Sequence, residues 1–110
     1  MRGVLLQPNE APVIRDIDAS LRGLQEIVGG YIEVIPYPGM KDVVIVCNEE
    51  GKLLGLRENR HIYIDGKPVD CICGDAVVIG VDGEEFAELD MSTALTVALW
   101  AYDGIEEVMI

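Results

Sequence analysis

Val43-Val44-Ile45-Val46-Cys47 is an almost unbroken β-branched run with no charge in it. A run of that kind is at home only as a strand buried on both faces, with a hydrogen-bonded neighbour on either side. Turn signals fence it: Pro38-Gly39 comes before, and Asn48-Glu49-Glu50-Gly51 comes after, with Gly51 expected at positive φ. A central strand needs partners, and the rest of the chain offers them. Gly3 to Gln7 and Val13 to Ile17 flank a Pro8-Asn9-Glu10 turn and predict a hairpin. Tyr31 to Pro36 alternates, with Ile32 and Val34 on one side. Ile62 to Ile64 and Val69 to Ile72 predict a second hairpin about Asp65-Gly66, and Ala76 to Val81 predicts another buried strand closed by Asp82-Gly83.

Two segments carry helical spacing. After a cap at Asp18 or Ser20, Leu21, Leu24, Ile27 and Val28 fall on one face, and Gly29 supplies a left-handed stop. A second helix is expected from a cap at Asp90 or Ser92 to about Tyr102, ended by Gly104. Its apolar positions (Leu95, Val97, Ala98, Leu99, Trp100, Ala101) run nearly all the way round. A helix of that kind needs cover beyond one sheet face, either from a second subunit in a homodimer or from Ile105 to Ile110 packing back. The order of elements predicts one α+β domain over residues 1–110, a mostly antiparallel sheet of five to six strands with two helices. No Gly-rich loop follows a strand, so a dinucleotide fold has no support.

Twenty acidic residues face eight basic ones, a formal net charge of −12. Residues 66 to 110 contain a single base, Lys67, and ten acids, which leaves that stretch at −9. Such a field repels phosphate backbones and attracts basic proteins, so direct nucleic acid binding is not expected and a basic host protein is. The longest near-apolar run, Ala94 to Tyr102, is about half a membrane span. Three cysteines make no disulfide framework, and together these features predict a cytoplasmic protein with reduced thiols and no membrane contact.

Against this acidic background one segment is basic and rich in amides: Asn48, Lys52, Arg57, Asn59 and Arg60, with His61 beside it. Amide pairs and guanidinium forks suit a phosphate or a nucleobase edge, so these five are the candidate site for a small anionic, nucleotide-like ligand. In the competing reading the Asn residues form turns, the bases pair with Glu49, Glu50 and Glu58, and Arg60 is an internal strut for carbonyls. Cys47, His61, Cys71 and Cys73 are zinc-ligand types, but Cys71-Ile72-Cys73 reads as a strand and not a knuckle, so neither metal nor cofactor is expected. No spacing pairs His61 with a nucleophile, and the adjacent carboxylates Glu49-Glu50, Glu84-Glu85 and Glu106-Glu107 make no acid/base dyad, so no enzyme activity is expected.

The block LQEIVGGYIEV, the turn NEEGKLLGL with Asn59-Arg60 close behind, and the later GDAVVIGVDGEEF resemble the family known as domain of unknown function 3846, over most of residues 1 to 89. Arg57-Glu58 stands where that family often has prolines, and the helix from Asp90 onward lies outside the resemblance. The resemblance implies a small single-domain protein of the kind often encoded on phages and plasmids, and implies no activity. A non-catalytic module that binds a small anion or a host protein is the function expected; the alternative is an acidic DNA mimic that occupies the basic groove of a host DNA-binding or defence enzyme.

Overall fold

The computed structural model describes residues 1–106. Nine strands and two helices follow one another as β1 (Arg2–Leu6), β2 (Val13–Asp16), α1 (Leu21–Val28), β3 (Ile32–Pro36), β4 (Val43–Asn48), β5 (Glu58–Ile64), β6 (Lys67–Cys73), β7 (Ala76–Asp82), β8 (Glu85–Ala87), α2 (Met91–Trp100) and β9 (Ile105–Glu106). The main sheet runs β2-β1-β7-β4-β3, with β8 also paired to β7, so it has six strands, all antiparallel. The β-branched run is the fully buried strand β4, held between β7 and β3 as its composition requires. A second, three-stranded sheet orders β6-β5-β9, with β9 parallel to β5. The fold is α+β.

Alternation along the buried strands divides the core in two. Val4, Leu6, Val43, Ile45, Cys47, Ala76 and Val78 face one way, where Ala94, Val97 and Ala101 of α2 and Ile62, Ile72 and Ile105 of the small sheet cover them. Leu5, Val44, Val46, Val77 and Ile79 face the other way, beneath Leu24 and Val28 of α1. The main sheet is therefore the middle of three layers.

Local chemistry sets the element ends. Ser20 caps α1 by accepting from the Gly23 amide at 3.0 Å, while Asp18 accepts from the Ser20 amide at 3.0 Å. Gly29 closes the helix at φ 79°. Of the four residues expected on its inner face, Leu24 and Val28 are buried and Ile27 packs partly, but Leu21 is 60% exposed, because it sits in the first turn beyond the sheet's reach. Asp65 and Gly66 have φ of 52° and 74°, the two positive values that a tight two-residue hairpin demands.

Two expectations are corrected. Gly51 does not adopt positive φ; Gly55 does, at 67°, within a run of turns over residues 49–55. Gly51 is needed for space instead, since a Cβ there would lie 2.6 Å from the Cys73 carbonyl oxygen. Helix α2 is capped by Asp90, which accepts from the Thr93 amide at 2.7 Å, and ends at Ala101 ahead of Gly104. Gly104 instead lets the chain pass Tyr63, whose ring edge would be 3.0 Å from a Cβ at that position. Ile105 and Glu106 do pack back, as β9, and residues 107–110 of the expected tail lie outside the described residues.

Candidate functional site

The five residues of the basic, amide-rich segment do not share one rim. Arg60 is 3% exposed on the inner side of β5. Its Nε donates to the Ala101 carbonyl at 2.8 Å, one Nη donates to the Gln7 carbonyl at 2.9 Å and to Asn59 Oδ1 at 2.6 Å, and the other Nη donates to the Glu10 carbonyl at 2.6 Å. Burial pulls its pKa down, against the pull of Asp103. Asn59 gives both amide protons to carbonyls, those of Leu6 and Gly74, each at 2.8 Å. Asn48 is 6% exposed; it donates to the Val28 carbonyl at 3.0 Å and accepts from the Glu50 amide at 2.8 Å. Gly30 gives it room, because a Cβ there would lie 3.0 Å from Asn48 Nδ2. These three side chains are therefore internal fasteners: Asn48 ties the end of α1 to the turn after β4, and Asn59 and Arg60 tie β5 to the β1–β2 turn, the β6–β7 loop and the end of α2.

Lys52 and Arg57 remain on the surface. Lys52 pairs with Asp70 of β6, which raises the lysine pKa and lowers that of the carboxyl, and it shares a hollow with Asn48, Cys47, Cys71 and Cys73, so Asn48 and Lys52 come together there. The hollow beside Asn59 and Arg60 is a different one, lined by Asn9, Glu10, Tyr102 and Asp103. Arg57 is exposed, and its carbonyl accepts from the Gly74 amide at 2.8 Å.

Burial pushes the Cys47 thiol and the Tyr37 hydroxyl up to about 12, so both are protonated near neutrality. Every buried side-chain nitrogen and oxygen among the described residues has a hydrogen-bond partner.

The surface that stands out is on α2. Its inner face is small, Ala94, Val97 and Ala101, which lets the helix sit close on the sheet beside β1 and β2. Its outer face is apolar too. Met91, Leu95 and Leu99 recur at steps of four, Tyr102 follows just beyond the helix end, and the four are 47%, 56%, 74% and 59% exposed. Trp100, half exposed, adjoins them across a hollow lined by Tyr63, Asp103, Gly104 and Glu106. Among the described residues, Ile105 supplies part of the core beneath the helix and none covers the outer stripe. No helix among the described residues is long and apolar enough to cross a membrane.

None of the curated proteins and none of the solved structures matches the chain. A family profile does, over residues 1–98, which carries the likeness beyond Leu89 and through most of α2. Among the residues quoted for the resemblance, Gly29 stops α1, Gly30 lies against Asn48 and the Asn59-Arg60 pair ties down β5, so they fasten this fold together, and the chain belongs to the family Domain of unknown function (DUF3846).

Proposed function

We propose that the protein is a non-catalytic interaction module, working in the cytoplasm with its thiols reduced, and that the outer face of α2 docks into an apolar groove rimmed by basic residues on a partner protein. One observation carries this reading: the stripe Met91, Leu95 and Leu99, with Trp100 and Tyr102 beside it, is left exposed by the described residues, on the half of the chain whose net charge is −9. Apolar anchors at helical spacing suit helix-in-groove recognition, and the carboxylates of Asp103 and Glu106, which line the hollow beside Leu99 and Trp100, steer a basic rim toward them. A second copy of the chain is the weaker occupant, since a homodimer through this face brings two such acidic halves together. A small anionic ligand has lost most of its support, because Asn48, Asn59 and Arg60 are engaged with backbone groups and Lys52 with Asp70. If the gene lies on a phage or plasmid, as the family resemblance implies, the partner is a host protein.

A photo-crosslinking amino acid placed at position 99, with position 22 on α1 as control, tests the reading in cells. Adducts from position 99 with one basic protein, absent from position 22, are expected. Equal labelling from both positions, or none from either, removes the docking face, and adducts of the chain with itself identify the homodimer instead. The acidic half also favours mimicry of DNA as a second reading. There the carboxylates make the contact, so Leu95→Gln with Leu99→Gln leaves binding intact, whereas docking through the stripe loses at least tenfold.

A further inference from the structure

The β5–β6 hairpin carries a β-bulge with a chemical consequence. Glu58 pairs with Cys73, Arg60 with Ile72 and His61 with Cys71, so β5 spends Asn59 as an extra residue where β6 spends none. In a regular strand residues 58 and 61, three apart, face opposite sides. The bulge returns Glu58 to the side of His61, and cross-strand pairing puts Cys73 and Cys71 on that side too. As a result a Glu58 carboxylate oxygen, a His61 ring nitrogen and the Cys71 sulfur all lie within 4.8 Å of one another. Cys73, two residues from Cys71 on β6, lines the same hollow, with its sulfur outside the close group of three.

We propose that Glu58, His61, Cys71 and Cys73 form a site for a divalent transition-metal ion, with zinc the ion best matched to two sulfurs, one imidazole and one carboxylate. The structure builds this site from behind. Asn59, the bulge residue, is pinned by its two carbonyl contacts, and Arg60 by its four hydrogen bonds, so the backbone that presents Glu58 and His61 is fixed before any ion arrives. The donors themselves are exposed or half-buried and free to close in. Ligand atoms around tetrahedral zinc stand roughly 3.3 to 3.8 Å apart, so a contraction of about 1 Å suffices. Cys47, counted with the others in the sequence, borders the same hollow as Cys71 and Cys73 but is outside the close group, with its thiol buried and 3.9 Å from a Glu33 oxygen.

The proposal is independent of the α2 face, and metal titration of the reduced full-length chain tests it. Cobalt(II) is expected to bind one per chain with the visible absorption of a tetrahedral site and a sulfur-to-metal charge-transfer band, and zinc is expected to displace it and to shield Cys71 and Cys73 from a maleimide. Cys71→Ser and His61→Ala should each weaken zinc at least tenfold while the circular dichroism stays that of the parent. Cys73→Ser should do the same. A wild-type chain without the cobalt spectrum, or affinity unchanged in Cys71→Ser and His61→Ala, overturns the site and leaves adventitious binding to acidic surface; affinity unchanged in Cys73→Ser alone overturns the fourth ligand.

Discussion

Arg60 illustrates how far a residue can be read before its surroundings are known. The sequence marks it as unusual, one of the few bases in an acidic chain and next to Asn59, but guanidinium and amide groups bond a backbone carbonyl by the same geometry as a phosphate oxygen. Nothing in residue type distinguishes the two partners, and here the partners are the carbonyls of Gln7, Glu10 and Ala101. Arg60→Ala should therefore cost about 1–3 kcal/mol through carbonyls left unpaired. Arg60→Lys should recover little of it, since an ammonium cannot span three acceptors with a fork. Urea unfolding of the two variants checks this, and a loss under about 0.5 kcal/mol for both, the range of an ordinary surface site, would contradict the strut. Asn48 was legible in the same partial way: its place at a turn was readable, its reach to Val28 across the chain was not.

Among the elements, those set by local chemistry were legible and those set by a distant partner were not. Ser20, Gly29, Asp65-Gly66 and Asp90 each act within a few residues, and each does what its side chain or backbone freedom dictates. Strands β8 and β9, of three and two residues, exist only because β7 and β5 offer them edges. The bulge at Asn59 is a property of the pair β5–β6, so the convergence of Glu58, His61 and Cys71 was invisible in spacing that suggested no metal. Glycine shows the same division. Gly66→Ala meets no atom within 4 Å and suffers only its φ of 74°, a cost of about 1 kcal/mol. Gly51→Ala, at an ordinary φ, drives a Cβ to 2.6 Å from the Cys73 carbonyl and should be the more damaging of the two in thermal unfolding. The reverse order would mean that the turn over residues 49–55 yields easily.

For the molecule as a whole, twenty acids against eight bases leave most carboxylates without partners, and the described residues hold three ion pairs, Met1–Asp16, Arg22–Glu26 and Lys52–Asp70. Self-repulsion then outweighs pairing, and screening should stabilise the fold. The melting temperature is expected to rise by several degrees between about 0.05 and 0.5 M sodium chloride. Self-association through α2, measured by sedimentation, should rise over that range too, while capture of a basic partner weakens; a melting temperature that falls with salt would mean the pairs dominate. The Arg60 fastening has a consequence in time as well as in energy. One side chain gathers carbonyls from positions 7, 10 and 101, separated from it by 53, 50 and 41 residues. Contacts between residues so far apart in sequence close late, after the loops between them have been gathered. A chain emerging from the ribosome can pair β1 with β2 early, yet the guanidinium stays unlocked until Ala101 has been made. Loss of Arg60 should accordingly appear in how fast the finished molecule opens, and hardly at all in how fast it first collapses.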